Sequence, residues 1–342
     1  LSIRGTPIKP VKLTIVGVGG FAAVHLRVAR ILEEEGLAKI SSVVIRSPEK
    51  YPKEVDDFRS RGVSIYRNFD EMLEAEKGRT EIVTLPIAIH QHKEMTLKAL
   101  KYGFNVIVEK PPAVTIQDLD EMIEAERMSG RFCAVGFQLQ SKTIVHKIKE
   151  AVHEGKIGDV KTVLAKGKWK RLDSYYERNA WAGKFMYEGK YVLDGTVSNP
   201  LSHYLMSSLY FASREKGKAA SPLKVRSELY RGHKIDGEDT SCLEVEVEGG
   251  ARVFFFATLC SPFQSSPVHR IVGTKGTIEW NVGRNAQIRY ADGSIEEIED
   301  DGKDEYVELF KNAIRYLKGS GRKYQLSPRA DTTFRHRVEW CL

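Results

Sequence analysis

The sequence has little cysteine, no long apolar run and no strong excess of one charge. Each scarcity excludes something. Among its 342 residues only four are cysteine, at positions 133, 242, 260 and 341. No pair stands at Cys-x-x-Cys or other metal-ligand spacing, so a cysteine-built zinc site or dithiol redox motif is not expected. Reduced, mostly buried thiols in a cytosolic protein, with no metal, are the expectation. The longest apolar stretch, around Val253 to Leu259, is far short of the ~20 residues that cross a bilayer. Residues Leu1 to Lys12 lack an apolar signal core with a cleavage site, so no secretory signal is read there. The initial Leu leaves a processed or trimmed start open. The 53 basic and 46 acidic side chains leave a net charge of +7. That balance favours a mildly basic, solvated surface over nucleic-acid binding.

What is present is a globular composition. Hydrophobic residues make up 42% of the chain, enough for a sizeable core, and the length suggests two domains. Up to about residue 140, apolar runs alternate with amphipathic segments. Strands are predicted at Val11–Val16, Ile40–Ile45, Val63–Tyr66, Ile82–Leu85, Asn105–Val108 and Phe132–Val135. Helices are predicted over Phe21–Glu35, Gln91–Tyr102 and from a capping box at Thr115–Asp118 to Ser129, with a short one after Asn68. Strands joined by helical crossovers argue for a doubly wound parallel sheet. After Gly136 the pattern changes. A helix over Ser141–His153 is followed by long strand-like runs between Val160 and Trp280, with one helix near Asn199–Ala212. This predicts an α+β second domain with a large, mainly antiparallel open sheet. Ile295–Glu305 reads as an acidic exposed loop leading into a helix over Glu305–Leu317, with another helix after Pro328. The basic run Lys166–Arg171 alternates like a strand, with its lysines on a solvent-facing row. The domains are predicted as 1–138 and 139–325, with the tail 326–342 packing back on the first.

Three stretches carry chemistry. Gly17-Val-Gly19-Gly20-Phe21-Ala22 follows the first strand and opens a helix, the context a dinucleotide-binding turn requires. Gly17 permits the turn, Gly19 lets a pyrophosphate approach, and Ala22 keeps helix and strand close. The helix N-terminus then favours phosphate. At the end of the second strand a carboxylate would read a ribose hydroxyl. This chain has Ile45-Arg46-Ser47 instead, a pair able to hold a 2′-phosphate, which favours NADP over NAD. Arg46 stacking on adenine or facing solvent, with either cofactor bound, stays open. At the end of the fifth strand, Glu109-Lys110-Pro111 places a lysine at the edge where open α/β sheets bind ligands, able to steady charge on a substrate oxygen.

With Gly136-Phe137-Gln138, Gly155-Lys-Ile-Gly158 and Gly273-Thr-Lys-Gly276 added to these motifs, nearly the whole chain resembles the Gfo/Idh/MocA oxidoreductases. The resemblance implies an N-terminal Rossmann domain and a C-terminal domain for substrate binding and oligomerisation, as a homodimer or homotetramer through its sheet. It implies a cytoplasmic NAD(P)-dependent enzyme that moves hydride to or from a sugar, polyol or related hydroxy or carbonyl compound, with no nucleic-acid or membrane partner. Lys110 matches the family's catalytic lysine and His203 its catalytic histidine. Asn199 stands where an aspartate is common, and Leu201 where a glycine is usual. An amide cannot exchange a proton near neutral pH, so the proton chemistry falls on His203, alone or with Lys110, and Asp194 is a candidate for the missing carboxylate. Arg178, Asn179 and Trp181, with Tyr175 and Tyr176, suit a polar substrate or a structural loop; Trp169 and Arg171 are weaker candidates. Pro86 and His90 run beside a nicotinamide in the family, although one of His90 and His92 is expected to pack against the next helix. Glu109 and Gln138 complete the cofactor-site candidates. Two rivals stay open: a redox cycle without net cofactor change, and a dinucleotide- or sugar-sensing protein without catalysis.

Overall fold

The computed structural model describes residues 9–320. The tail 326–342, the helix expected after Pro328 and Cys341 lie outside the described residues. The chain forms two compact units, residues 9–113, 117–136 and 306–320 in one and residues 114–116 and 137–305 in the other.

The first unit runs β1 (Val11–Val16), α1 (Ala22–Glu34), β2 (Ala38–Val44), α2 (Pro52–Ser60), β3 (Ser64–Tyr66), α3 (Phe69–Glu76), β4 (Ile82–Leu85), α4 (His92–Lys101), β5 (Asn105–Val108), α5 (Ile116–Ser129) and β6 (Cys133–Val135). The strands pair in parallel in the order β3-β2-β1-β4-β5-β6. Every residue of β4 and β5 is buried, as strands covered on both faces require. The strand order reverses between β1 and β4, and such sheets bind ligands outside the carboxyl edge at that point. Helix α2, absent from the sequence pattern, starts on Pro52, where the fixed φ suits a first turn. The helix Glu305–Leu317 also packs in this unit, although the sequence pattern groups it with residues 139–325. Phe310 meets the ring of His25 edge-on at 5.2 Å, and Lys311 pairs with Glu35.

A buried carboxylate organises the carboxyl edge of this sheet. Glu109, 5% exposed, lies 3.0 Å from Nε2 of the fully buried His25 on α1 and accepts the Lys110 amide at 3.3 Å. Gly136, just past β6, makes room for it: a Cβ there would lie 2.6 Å from Glu109 Oε1.

The second unit contains α6 (Thr143–His153), β7 (Val160–Lys168), α7 (Asp173–Tyr176), a two-stranded ribbon of β8 (Met186–Tyr187) and β9 (Lys190–Tyr191), and α8 (Ser202–Ala212). Seven strands follow: β10 (Pro222–Tyr230), β11 (Thr240–Val247), β12 (Arg252–Thr258), β13 (Val268–Gly273), β14 (Gly276–Asn281), β15 (Ala286–Tyr290) and β16 (Ile295–Ile298). With β7 they form one sheet in the order β10-β11-β12-β7-β13-β14-β15-β16, antiparallel except at β12–β7. Strand β11 alternates half-buried and buried residues, so one face meets the core and the other does not. All of α8 is buried, and its Ser207 and Ser208 hydroxyls bond back to the carbonyls of His203 and Tyr204.

Two expectations need correction. The segment Ile295–Glu305 is not wholly a loop. It opens with edge strand β16, where Ile298 turns inward and Glu296 pairs with Lys156, so its acidic side chains decorate a sheet edge. The described thiols are not mostly buried: Cys133 and Cys242 are half-buried and Cys260 is exposed. Cys133 sits on edge strand β6, and Cys242 on the outer side of β11. Among the described residues no helix is long and apolar enough to cross a membrane.

Two predictions follow from these cores. Gly136→Ala should destabilise the protein by about 1–3 kcal/mol, because the new methyl collides with a buried carboxylate. In a Glu109→Ala background the same change should cost less, by more than about 0.5 kcal/mol. Denaturant melts of the four proteins test this, and additive penalties would contradict it. The second concerns His269, fully buried, stacked on Trp280 at 5.4 Å and bonded through Nε2 to the Tyr204 carbonyl at 3.1 Å. Burial pulls its pKa down from 6.5 to about 4. Between those values the unfolded chain binds the extra proton and the folded one does not, so stability is lost as pH falls through that window. The loss is up to about 3 kcal/mol. Melts at neutral pH and near pH 4.5 should show a smaller acid loss in His269→Gln; an equal loss would count against this role.

Candidate active site

In the first unit the glycine turn leaves β1 with Gly17 at φ +97° and its amide bonded to the Val44 carbonyl at 2.9 Å. A Cβ on Gly17 would stand 3.3 Å from that of Ala22, so the small pair brings α1 close behind β1. Gly20 adopts φ +56°, and the exposed Phe21 precedes α1 without a side-chain cap. Among the described residues no side chain caps the N-terminus of α1, and a turn of this form suits a dinucleotide phosphate. Gly19 faces a neighbour that spacing alone did not reveal: a Cβ there would lie 2.4 Å from the hydroxyl of Tyr51. Tyr51 follows the β2 exit, where Arg46 is exposed and Ser47 precedes a short turn over Pro48–Lys50.

Lys110 is half-buried at the β5 exit, beside the Glu109 bracket, and its peptide bond to Pro111 is cis. Glu109, a cofactor-site candidate, has its carboxylate engaged with His25 and the Lys110 amide. His92, at the start of α4, has Nδ1 2.6 Å from the Pro111 carbonyl and Nε2 3.1 Å from the Ile87 carbonyl. It braces the loop carrying Lys110 against the loop after β4, and burial lowers its pKa. Pro86 is buried in that second loop, and His90 lies half-buried in the turn Ile89–Gln91.

In the second unit His203 is buried in the first turn of α8, with Phe137 edge-on at 5.6 Å. Its carbonyl accepts the Ser207 hydroxyl, which in turn accepts from Gln140 Nε2 at 2.7 Å. Gln138 is half-buried, and its Oε1 has no hydrogen-bond partner among the described residues. Asn199 lies in the turn before α8 and donates from Nδ2 to Asp194 Oδ1 at 2.7 Å. Asp194, 3% exposed, also accepts the Gly183 amide at 2.7 Å and stands 4.0 Å from Arg178. The fold thus sets a buried carboxylate against the side-chain amide of Asn199. Leu201 in place of a glycine is accommodated by Gly167 on β7, where a Cβ would come within 2.9 Å of the Leu201 side chain.

The loop before the ribbon stacks cations on aromatics. Arg178 lies 3.7 Å from the Tyr175 ring centre and 5.7 Å from Trp181, while Arg171 lies between Tyr175 and Trp169. Asn179 serves the loop itself, its Oδ1 accepting the amides of Trp181 and Ala182. The fold also assembles a group that cysteine spacing could not show. His233, Asp239 and Cys260 place their Nδ1, carboxylate and Sγ atoms within 4.8 Å of one another. Burial, then the Asp239 carboxylate, pushes the Cys260 thiol up to about 11.

Comparison with known proteins agrees with this geometry. Residues 11–137 match the GFO_IDH_MocA oxidoreductase family with its NAD-binding Rossmann fold, and residues 145–279 match the GFO/IDH/MocA C-terminal domain. An inositol 2-dehydrogenase of Azotobacter vinelandii is 26% identical over 253 residues, covering 70% of this chain and 72% of that protein. An uncharacterised oxidoreductase of Streptococcus pneumoniae is 30% identical over 150 residues, and a 2,7-anhydro-N-acetylneuraminate hydratase of Mediterraneibacter gnavus is 30% identical over 153. These matches cover 44% and 45% of this chain but only 38% of the length of each relative. Among solved structures, an A. vinelandii inositol dehydrogenase homologue complexed with NAD+ superimposes with TM-score 0.79 at 14% identity, covering 94% of this chain and 90% of that one. The WlbA dehydrogenase of Bordetella pertussis, in complex with NADH and UDP-GlcNAcA, gives 0.74 at 20% identity and 93% coverage of both. These likenesses show the same fold. The two matched regions, the glycine turn and the Glu-Lys-Pro strand end together make this chain a member of the GFO/IDH/MocA oxidoreductase family.

Proposed function

We propose that the chain is an oxidoreductase that uses a nicotinamide dinucleotide, preferring NADP(H), on a sugar, polyol or related hydroxy or carbonyl compound. The observation that carries this reading is the carboxyl edge of the parallel sheet. There an uncapped helix N-terminus behind Gly17–Ala22 and a braced lysine at the β5 exit share the switch-point edge. The relative named inositol 2-dehydrogenase and the neighbour holding NADH and UDP-GlcNAcA support the cofactor and the substrate class. The NADP preference rests on Arg46 and Ser47 at the β2 exit and on the lack of a carboxylate there.

The bound dinucleotide supplies the hydride donor or acceptor. Lys110 donates a hydrogen bond to the substrate oxygen and steadies negative charge on it. His203 takes the hydroxyl proton in oxidation and returns it in reduction. Asn199, held by Asp194, orients a hydroxyl and moves no proton. The loop of Arg178 and Trp181 offers stacking surfaces and cationic donors to a polar ring. The second unit also serves oligomerisation through the open face of its sheet, as a homodimer or homotetramer, and the protein works in the cytoplasm.

A second reading, oxidation followed by re-reduction with no net cofactor change, draws support from the relation to a hydratase. Measuring NADPH against product separates the two: equal amounts mark a dehydrogenase, and product without net cofactor change marks a cycle. For either reading, Lys110→Met and His203→Ala should each lower kcat/KM on a substrate found by panel screening by at least about 100-fold. Unchanged rates in both variants would remove these residues from the chemistry.

A further inference from the structure

His233, Asp239 and Cys260 belong to two loops of the second unit and make a donor set the proposed reaction does not use. His233 and Asp239 flank the turn between β10 and β11, and Cys260 follows β12. Cys260 is pinned by a backbone bridge to Lys170, and Gly232 leaves room for its sulfur: a Cβ there would stand 3.0 Å from Sγ.

The hydrogen bonds around the cluster fix each donor. His233 Nε2 lies 3.1 Å from the Arg171 carbonyl, an acceptor, so this nitrogen carries a proton. In a neutral ring Nδ1 then presents a lone pair, and it faces Asp239 Oδ2 at 2.8 Å and Cys260 Sγ at 3.4 Å. A lone pair aimed at a carboxylate needs positive charge between them. The carboxylate is itself held by the amides of Gly232 and His233, at 2.9 and 2.7 Å to Oδ2. An imidazole bonded through its far nitrogen to a backbone carbonyl, beside an oriented carboxylate, is how metal-binding histidines are supported. A fourth polar group completes the surroundings. The Tyr176 ring lies 5.0 Å from that of His233, and its hydroxyl is buried with no hydrogen-bond partner among the described residues.

We propose that His233 Nδ1, the Asp239 carboxylate and Cys260 Sγ bind one divalent cation of zinc's class. One nitrogen, one oxygen and one sulfur suit a borderline-soft ion better than magnesium or calcium. Tetrahedral zinc sets such ligands about 3.3–3.6 Å apart. The Sγ–Nδ1 separation already matches, and the Nδ1–Oδ2 pair opens by about half an ångström. Binding displaces the thiol proton to solvent and leaves the remaining position to water or to the Tyr176 hydroxyl. The ion ties the β10–β11 turn to the segment after β12, next to the aromatic loop of Tyr175 and Tyr176.

The test uses the whole chain, stripped with a chelator and titrated with zinc chloride by calorimetry and with cobalt chloride by absorption. One zinc per chain is expected, with a cobalt–thiolate charge-transfer band in the near ultraviolet and a rise in Tm with zinc. Cys260→Ser, an exposed position that leaves the fold intact, should abolish the band and weaken zinc at least tenfold; Asp239→Asn should weaken it similarly. Absence of the band in the native chain would overturn the site, and so would zinc affinity unchanged by Cys260→Ser. Either result would leave an imidazolium paired with Asp239 as the occupant of the cluster.

Discussion

A carboxylate taken out of water has to be matched by donors, and the first unit is arranged around one such group. Glu109 closes β5 with its side chain turned inward, and three elements adjust to it. Helix α1 supplies His25, the following amide supplies a donor, and the strand-to-loop step after β6 supplies a glycine. An unmatched buried charge costs several kcal/mol, so these elements are held in common register. The same α1 begins at the glycine turn, and the same β5 exit carries Lys110. The phosphate cradle and the lysine are therefore fixed by one bracket rather than by two independent loops.

The second unit uses the same device at a different place. Asp194 is buried, and its carboxylate gathers an amide from Gly183, the side-chain amide of Asn199 and the guanidinium of Arg178. This gathers a long irregular stretch in front of α8, the helix that carries His203. The replacement of an aspartate by Asn199 thus does not remove negative charge from the neighbourhood; the charge sits one hydrogen bond away. His203 is held from the other side by packing against Phe137 and by the Gln140–Ser207 relay to its own carbonyl.

Much of this was legible in the sequence where local rules dominate. The strands Ile82–Leu85 and Asn105–Val108 show as short apolar runs because both faces are buried, and the glycine turn shows because its backbone tolerates few other residues. Strands β15 and β16 were not legible: they are short, polar on one side and defined by pairing with β14 rather than by their own composition. The role of Glu109 was readable only as a motif, since His25 lies 84 residues away. Tyr51 over Gly19, and the meeting of Cys260 with His233 and Asp239, are products of chain folding that no spacing rule encodes. His92 is the intermediate case. A packing role for it or for His90 was expected, and the two carbonyls it braces became visible only in three dimensions.

The turn at Gly17–Ala22, with Arg46 and Ser47 following the neighbouring strand, is the proposed dinucleotide site. The most direct measurement is a fluorescence titration of protein freed of any resident nucleotide with NADPH and, in parallel, NADH. Saturable binding of both is expected, with NADPH tighter by about tenfold, or ~1.4 kcal/mol. Equal or NADH-favoured affinity would make Arg46 a bystander. Binding of neither would remove the dinucleotide site from this turn.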